Sequence, residues 1–380
     1  MCKIANNFSI CQPKFGIFIQ IPQKMITSEI QHYINKVLHN WYNTNKRELP
    51  WRNTTDPYRI WISEVILQQT RVNQGLEYYN RFVERFPSVK SLAETEEDEV
   101  LKYWQGLGYY SRARNLHKAA KQVSEKHNNL FPSEYKQVLD LAGIGDYTAA
   151  AICSIAYNQP YAVVDGNVYR VLSRLFGVST PIDSVKGKKE FSELAQDLLS
   201  KSESALHNQA MMEFGALQCT PVSPDCADCP LQSVCHAFAS NSISELPVKQ
   251  LKTKTSNRYF NYLFINYNGK TFLQKRTGKD VWQNLYEFPL IESDKLLSLS
   301  ELTENEEFRA IFEGISTVEL IKTTNPIKHI LSHRIIIAQF ITVTTSQLNN
   351  KLNNFIITNL SEIDHFAVSR LMEQFLEKLD

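Results

Sequence analysis

The spacing of apolar residues divides the chain into a long helical part and a shorter mixed part. From Thr27 to about Ala239, apolar positions recur at the intervals of three and four residues that are typical of α-helices. The stretch DPYRIWISEVILQQT opens with Asp56 as an N-cap and Pro57 at the first helical position. Further helices are expected near residues 75–85, 96–104, 112–127, 134–141, 147–157, 167–176, 188–200 and 205–217. We therefore expect this region to be all-α.

The character of the sequence changes after Ala239. The polar and basic stretch SNSISELPVKQLKTKTSNR predicts a linker over residues 241–256. Two strand-like runs in YFNYLFINYNGKTFLQKR flank Asn268-Gly269, which indicates a hairpin. HRIIIAQFITVT is another β-rich run, and SRLMEQFLEKL closes the chain as a helix. The pattern predicts a smaller α+β domain over residues 257–380.

Length and composition fit a multi-domain globular protein. The 380 residues are too many for one simple core, and 43% are hydrophobic while 21% are charged. No apolar run approaches the roughly 18–20 residues that cross a bilayer, so no membrane partner is expected. The net charge of +1 leaves any affinity for a polyanion to local patches. Residues 1–25 show neither a signal-peptide nor a transit-peptide pattern, and we expect a disordered extension.

Four of the seven cysteines lie in one short loop, CTPVSPDCADCPLQSVC. Their spacing is Cys219-x6-Cys226-x2-Cys229-x5-Cys235. An odd total with one tight group is not a secreted disulfide framework, so a reducing cytosol is the expected compartment. Structural zinc sites usually use two close pairs of ligands, whereas this loop has a single C-x-x-C. The spacing therefore favours an iron–sulfur cluster, with zinc and unligated thiols as alternatives.

Two glycine turns are candidates for contact with a polyanion. LDLAGIGDYTAAAICSIAY predicts helix, a turn at residues 143–145 and helix, which is either a phosphate site built from backbone N–H groups or a tight structural turn. WQGLGYYSRARNL offers a second turn, followed by two tyrosines and the basic residues Arg112, Arg114 and Lys118. These tyrosines suit stacking on bases, or simple packing under a loop.

Two acidic residues are candidates for catalysis. Asp165 lies where an apolar segment meets the next helix, and alone it is interpreted as an N-cap. Glu64 lies in mid-helix, next to apolar neighbours such as Trp61 and Val65. Apolar surroundings raise the pKa of a carboxyl group, which suits a general acid, and a solvent-exposed glutamate is the simpler alternative.

Taken in order, these elements resemble the helix-hairpin-helix DNA glycosylase superfamily. LPWR, SEVILQQT, GLGYYSRARNL, GIGDYTAAAI and VDGNVYRVLSR are similar, nearly word for word, to MutY-type adenine DNA glycosylases over about residues 28–240. The resemblance implies a multi-domain fold, with an all-α helix-hairpin-helix glycosylase core followed by an α+β MutT/Nudix-like domain. The core, residues 26–240, would comprise a six-helix barrel (about 52–155) and a 4Fe–4S helical domain (26–51 plus 156–240). DNA would lie across the cleft between these two, with one 4Fe–4S cluster on the four cysteines.

The resemblance also implies a reaction. The enzyme would flip out adenine mispaired with 8-oxoguanine or guanine and hydrolyse its N-glycosidic bond, leaving an abasic site in base excision repair. Glu64 would protonate adenine, Asp165 opposite it would stabilise the oxocarbenium-like sugar, and Asn167 and Tyr147 would position reacting groups. The bifunctional endonuclease III type carries a lysine at the position of Tyr147. Because a phenol cannot form a Schiff base, we predict a monofunctional glycosylase.

Residues that contact DNA follow from the same resemblance. Gln69 and Tyr109 resemble wedge residues inserted beside the partner base. Gly143 and Gly145 would hold phosphate through their amides, helped by the basic cluster near Arg112. Further contacts are expected at Leu49, Arg52, Thr70 and Leu107. The expected partner is double-stranded DNA with an A:8-oxoguanine or A:G mispair, bound by a monomer in a bacterial-type cytoplasm, at the nucleoid.

The C-terminal domain resembles the MutT-like (Nudix-fold) domain that reads 8-oxoguanine in this family. VWQNLYEFPL and HILSHR carry the similarity, and Leu331-Ser332-His333 stands where many members have Phe-Ser-His. Ser332 and His333 keep hydrogen-bonding groups for the lesion, whereas the aromatic contact is lost. No glutamate-rich Nudix box is found, so pyrophosphate hydrolysis is not expected. The alternative is a structural appendage.

Two other functions are open to a chain of this kind. One is a glycosylase/lyase of the endonuclease III type, which Tyr147 and the second domain oppose. The other is a non-catalytic DNA-damage binding protein. The presence of both Glu64 and Asp165 argues against it, because a pure binder needs neither carboxylate beside a polyanion.

Overall fold

The computed structural model describes residues 26–250, 255–331 and 333–379. The predicted extension over residues 1–25 and the predicted lesion contact Ser332 lie outside the described residues. The chain divides into two compact units, and each consists of two separate segments. We name them the cysteine unit (described residues 26–48 and 158–250) and the barrel unit (described residues from 49–157 and from 255 onward).

Residues 26–250, all of which the structure describes, form twelve α-helices and no strand. The helices are α1 (Ser28–Asn45), α2 (Pro57–Leu67), α3 (Val72–Arg85), α4 (Val89–Glu94), α5 (Glu97–Trp104), α6 (Ser111–His127), α7 (Tyr135–Leu139), α8 (Asp146–Tyr157), α9 (Gly166–Phe176), α10 (Val185–Leu198), α11 (Ser204–Leu217) and α12 (His236–Ala239). The prediction of an all-α core is confirmed. Among the described residues, no helix is long and apolar enough to span a membrane.

Helix α2 runs through the interior of the barrel unit. Asp56 begins it, because its carboxylate accepts a hydrogen bond from the Tyr58 N–H at 2.9 Å and Pro57 occupies the first position. Every residue from 60 to 66 is buried, as expected for a helix that is apolar on all sides. Glu64 is thereby carried into the interior and is only 8% exposed, so the solvent-exposed alternative does not hold.

The core of the cysteine unit joins α1 to helices that follow much later in the chain. Ile34 and Leu38 of α1 are fully buried in one apolar cluster with Leu172 of α9, Phe191 of α10 and Phe214 of α11. This burial holds the two segments of the unit together, because apolar area removed from water contributes roughly 25 cal/mol per Å².

Residues beyond 255 form the predicted α+β domain. Its elements are β1 (Ser256–Asn266), β2 (Lys270–Lys275), β3 (Tyr286–Glu287), β4 (Leu290–Ser293), α13 (Leu299–Glu304), α14 (Glu306–Ile311), β5 (Val318–Thr323), β6 (Ile327–Ile330), β7 (Arg334–Thr345), β8 (Ile356–Asn359) and α15 (Arg370–Leu376). One sheet has the order β4-β1-β7-β5, with β6 also paired to β7, and the other has the order β3-β2-β8. Strands β1 and β7 pair in parallel, while the other pairs are antiparallel. The prediction of fold class is confirmed.

The predicted hairpin at Asn268-Gly269 is only partly correct. Both residues have positive φ, 49° and 79°, as a two-residue hairpin turn requires, and Tyr267 pairs with Lys270 across it. Beyond that bridge the strands separate, because β1 pairs with β4 and β7 whereas β2 pairs with β3 and β8. The turn therefore passes the chain from one sheet to the other.

The first part of the predicted linker over residues 241–256 makes hydrogen bonds within the cysteine unit. Buried Arg174 donates hydrogen bonds to the carbonyl oxygens of Ile243 and Leu246, both at 3.1 Å. The Ile182 N–H donates to the Val248 carbonyl at 3.0 Å. Because these carbonyls satisfy buried donors, the segment up to residue 250 belongs to the cysteine unit despite its polar composition.

Candidate functional site

The first pair of residues predicted for catalysis lies where α2 meets α8 in the barrel unit. The Tyr147 hydroxyl donates a hydrogen bond of 2.7 Å to Oε2 of Glu64. One turn further along α2, the Gln68 side chain donates to the Thr148 hydroxyl at 3.3 Å. The structure thus brings together two of the residues predicted for catalysis. A buried carboxyl group oriented by a phenol is suited to delivering a proton to one defined position.

The second pair of residues predicted for catalysis lies at the start of α9 in the cysteine unit. Asp165 is the N-cap, and its Oδ1 accepts from the Val168 N–H at 2.7 Å. Its Oδ2 accepts from the Asn167 side-chain amide, also at 2.7 Å. Burial raises the pKa of Asp165, and the two donors oppose that effect by stabilising the charged form. Asp165 is therefore both the predicted cap and a carboxylate oriented by Asn167.

Arg170 connects this aspartate to the cysteine loop and was missed by the sequence analysis. Its Nη2 donates to the Asn167 side-chain carbonyl at 2.9 Å and to the Gly215 carbonyl at 2.6 Å. Its Nε donates to the Cys219 carbonyl at 2.7 Å. The sequence did contain a signal for this contact. Arg170 follows Asn167 by three residues, which puts the two side chains on the same face of the helix, and the residues after Arg170 are apolar.

Gly215 allows α11 to approach the start of α9 closely. A Cβ atom at this position would lie 2.6 Å from Cβ of Asn167 and 2.9 Å from its carbonyl oxygen. Those distances are shorter than side chains tolerate. The glycine therefore fixes Asn167, and through it the Asp165 carboxylate, against α11.

The four cysteines of the loop line one mostly apolar cavity in the cysteine unit, together with residues such as Val171, Leu175, Phe214 and Leu231. Arg174 reaches the same place, since its Nη1 lies 3.5 Å from the Cys219 sulfur and 2.7 Å from the Thr220 carbonyl. Burial, and to a smaller extent the neighbouring thiols, raise the pKa of the Cys229 thiol to about 12. Burial likewise raises the pKa of Cys226 and Cys235. Four thiolates so placed need bound cations to carry their charge together, and the donor set fits a thiolate-ligated group.

No arrangement of three or more His, Cys, Asp or Glu side chains suited to a single metal ion occurs in the described part of the chain.

The predicted hairpin of helices is α7, a turn and α8. Gly143 has φ +74°, and a Cβ there would lie 2.6 Å from Cβ of Asn115. A Cβ on Gly145, in contrast, would meet nothing within 4 Å. The first N–H groups of α8 have no partner within the helix. The two glycines thus differ, because only Gly143 is required by the protein's own packing.

The two predicted wedge residues share an unusual backbone. Gln69, two residues after the end of α2, has φ +56°, and Tyr109 has φ +47°. Both side chains are exposed, Tyr109 by 48%. Positive φ is uncommon for such residues and is often associated with functional positions. The structure thus presents both side chains to solvent from strained turns.

Arg112, the centre of the predicted basic cluster, is hydrogen-bonded within the barrel unit. Its guanidinium donates to the carbonyls of Val65 and Ile66 at 2.9 and 3.0 Å, and so caps the end of α2. Burial lowers its pKa to about 10. Arg114 donates to the Gln283 carbonyl at 2.8 Å. Of these three residues, only Lys118 is exposed, while Arg112 and Arg114 are partly buried.

The other predicted DNA contacts differ in exposure. Arg52 and Thr70 are partly exposed. Leu49 and Leu107 are only 6% and 8% exposed, so any contact they make involves the edge of a packed side chain.

A cavity of about 920 Å³ within the barrel unit collects several of these residues. Gln69, Leu107 and Tyr109 line it together with Leu331 and His333 of the C-terminal domain. Trp282 also lines it, and the Trp282 ring lies 5.6 Å from that of His329. The predicted wedge residues and the predicted recognition loop therefore share one cavity.

Known proteins with similar sequences are found for both parts of the chain. The HhH-GPD superfamily of base excision DNA repair proteins matches residues 62–201, and the NUDIX domain family matches residues 261–378. The adenine DNA glycosylase of Buchnera aphidicola subsp. Acyrthosiphon pisum is 34% identical over 260 residues, 68% of this chain and 74% of its own. That of Buchnera aphidicola subsp. Baizongia pistaciae is 34% identical over 297 residues, 77% of this chain and 81% of its own.

A solved structure supports the fold over about half of the chain. A thermostable thymine-DNA glycosylase matches with a TM-score of 0.52 and 30% sequence identity, covering 55% of this chain and 97% of that one. Sequence similarity to the Buchnera proteins extends over more than two thirds of this chain and of each relative. The chain therefore belongs to the family of adenine DNA glycosylases, within the helix-hairpin-helix base excision repair superfamily.

Proposed function

We propose that this protein is a monofunctional adenine DNA glycosylase that removes adenine paired with 8-oxoguanine or guanine. The observation that carries the proposal is the hydrogen bond between Tyr147 and the buried Glu64 carboxyl group. Glu64 would serve as the acid for the leaving base. Tyr147 has a phenol at the position where the lyase-type relatives need an amine. An abasic site is then the product.

The chemistry assigned to these residues follows from charge. Adenine is a poor leaving group until it is protonated, and Glu64 would supply that proton at N7 once the base has left the stack. Breaking the glycosidic bond leaves positive charge on C1′ and O4′ of the sugar. The Asp165 carboxylate, oriented by Asn167, would stabilise that charge, and water would complete the hydrolysis.

The four loop cysteines would hold one 4Fe–4S cluster. Support comes from the cavity that they share, its apolar lining and the Arg174 N–H group directed at the Cys219 sulfur. The bound cluster supplies the cations that let four thiolates lie together, and so it stabilises the loop. Through the Cys219 carbonyl and Arg170, the loop also supports Asn167.

The cavity of the barrel unit is proposed to receive the partner base. His333 offers an imidazole at its edge, and Tyr109 and Gln69 lie beside it. Selection of 8-oxoguanine over guanine would depend on these groups. We further propose that the protein acts as a monomer in a bacterial-type cytoplasm.

Base release in a single turnover tests this function. The substrate is a duplex with one adenine opposite 8-oxoguanine, and strand scission is measured with and without alkali. We expect scission only after alkali, because a monofunctional enzyme leaves an intact abasic strand. Scission without alkali that borohydride traps would reveal a lyase, and no release of adenine would favour a damage-binding protein.

Alanine at the two hairpin glycines should separate folding from DNA binding. Gly143→Ala should lower the free energy of unfolding by about 1–2 kcal/mol or more, because alanine is strained at positive φ and its Cβ meets Asn115. Gly145→Ala should leave stability unchanged and weaken DNA binding, because its methyl group enters the space proposed for a phosphate. Thermal unfolding and duplex affinity at fixed salt measure the two effects. Wild-type affinity in Gly145→Ala would remove the hairpin from the proposed interface.

Replacing Asn167 by alanine should change the pH dependence of base release. Loss of the amide donor disfavours the charged form of Asp165 and raises its pKa further. The reaction needs the charged form, so the acidic limb of the rate profile should move to higher pH. A hydrogen bond to a charged group is worth about 1.5–3 kcal/mol, which corresponds to about one pH unit or more. An acidic limb identical to that of the wild type would show that Asp165 does not set it.

A further inference from the structure

The tyrosine loop (residues 105–110) carries Tyr109 in a conformation that is unfavourable in isolation. Gly106, Gly108 and Tyr109 have φ values of +93°, +72° and +47°. A non-glycine residue in this region costs roughly 1–3 kcal/mol and persists only when its surroundings hold it. Contacts with neighbouring residues must therefore hold the tyrosine loop in place.

Residues of the helical part of the barrel unit form hydrogen bonds to the backbone of the tyrosine loop. The Trp104 indole N–H donates to the Gly108 carbonyl at 3.1 Å. Arg112 donates to the carbonyls of Leu107 and Gly108 at 3.4 and 3.3 Å. The Tyr78 hydroxyl donates to the Gln105 carbonyl at 2.9 Å. These bonds act on the backbone of the loop from one side.

The C-terminal domain holds the loop from another side, within the same compact unit. The Gln105 amide donates to the Glu373 carboxylate, and its side-chain carbonyl accepts from the Val368 N–H at 3.1 Å. The Tyr110 hydroxyl donates to the Val368 carbonyl at 3.3 Å and accepts from the Gly106 N–H at 3.3 Å. Both ends of the loop are thus bonded to residues that belong to the other domain.

The contacts between the tyrosine loop and the C-terminal domain involve buried residues. Tyr110 and Val368 are each only 2% exposed, so their hydrogen-bonding groups depend on partners within the protein. Gln105 itself does not line the cavity proposed for the partner base, whereas the neighbouring loop residues do. Its side chain is therefore available to fix the loop without touching that base.

We propose that Gln105 is a positioning residue, through which the C-terminal domain keeps Tyr109 in the conformation that inserts into DNA. This inference rests on the proposed function and adds a second task for the domain. Lesion reading alone would change the preference for 8-oxoguanine over guanine. Loop positioning changes base extrusion opposite either partner.

Exchanging the amide and the carboxylate between positions 105 and 373, first at one position and then at both, tests the proposal. Gln105→Glu keeps the size of the side chain but sets two carboxylates against each other. We expect adenine release to slow by about tenfold opposite both 8-oxoguanine and guanine, within the roughly 10²-fold that a 1 Å misplacement can cost. The double variant Gln105→Glu with Glu373→Gln regenerates an amide–carboxylate pair and still accepts from Val368, so it should restore the rate.

Fluorescence of 2-aminopurine in place of adenine gives a readout that needs no bond cleavage. Extrusion of the base should be reduced in Gln105→Glu and restored in the double variant, while thermal unfolding stays unchanged. Lys275→Met is the matched control, because it breaks the contact with Asp98 between the same two domains away from the loop. It should leave extrusion unchanged. If Gln105→Glu is unstable, Gln105→Met removes the side-chain hydrogen bonds to Glu373, Val368 and Lys102 without adding charge.

Several outcomes would overturn the inference. Unchanged extrusion in Gln105→Glu and Gln105→Met would show that the contact does not position the loop. A loss confined to the 8-oxoguanine duplex would assign Gln105 to lesion reading instead. A wild-type protein that extrudes 2-aminopurine but releases no adenine would refute the proposed function, and the extrusion assay would still decide the role of Gln105.

Discussion

Replacing Glu64 by glutamine should slow adenine release by about 10²–10⁴-fold, the usual contribution of a general acid. Glutamine keeps the size of the side chain and still accepts the hydrogen bond from Tyr147, so the contact between α2 and α8 is preserved. What it loses is the proton for the leaving base. Single-turnover base release measures the effect, and duplex affinity should stay at the wild-type value.

Two controls separate proton donation from simple damage to the site. Tyr147→Phe keeps the ring and removes the hydroxyl, and its effect should be smaller, about 10–100-fold, as expected for one hydrogen bond to a charged group. A substrate with carbon in place of N7 of adenine offers no acceptor for the proton. The wild type should bind it without releasing the base. Rapid release of that analogue, or wild-type rates in Glu64→Gln, would exclude protonation at N7 by Glu64.

Replacing Cys229, one of the proposed cluster ligands, should unfold the cysteine unit. In Cys229→Ser we expect the iron and sulfide content to fall and thermal unfolding to shift to a much lower temperature. Structural metal sites contribute on the order of 10 kcal/mol, comparable with the 5–15 kcal/mol of net stability of a whole domain. The measurements are iron and inorganic sulfide per chain and circular dichroism on heating.

Cys153→Ser is the matched control for this prediction. Cys153 is a fully buried thiol of α8 in the barrel unit, remote in sequence from the cysteine loop. Its replacement should leave the iron content unchanged. One zinc ion and no iron in the purified wild type would instead support the zinc alternative, and full iron in Cys229→Ser would exclude that cysteine as a ligand.

Features that depend on neighbouring residues were predictable from the sequence. The start of α2 follows from Asp56 and Pro57, and the cysteine loop is contained in 17 residues. The prediction of a turn at Asn268-Gly269 was also correct, since two adjacent residues determine the turn. In each case the interaction partner lies within a few residues, and the pattern contains it.

Features that depend on distant partners were not predictable. The strands on either side of the Asn268-Gly269 turn join different sheets, because their partners come from elsewhere in the chain. Arg170 gains its role from a carbonyl 49 residues away. Arg112 looked like a DNA contact because it is basic, but its donors are used at the end of α2. A sequence shows which side chains are charged, but it does not show which buried carbonyl groups accept their hydrogen bonds.

The two-segment construction of the cysteine unit has a consequence for synthesis on the ribosome. Helix α1 leaves the ribosome before the second segment of its own unit, yet Tyr42 of α1 bonds to Gln209, which is 167 residues later in the chain. At about 5–20 residues per second, α1 waits roughly 8–30 s for that partner. Residues 49–157 are synthesised during this interval, while the apolar face around Ile34 and Leu38 lacks its partners from α9, α10 and α11. We therefore expect α1 to be open to chaperones until the second segment of the cysteine unit has been made.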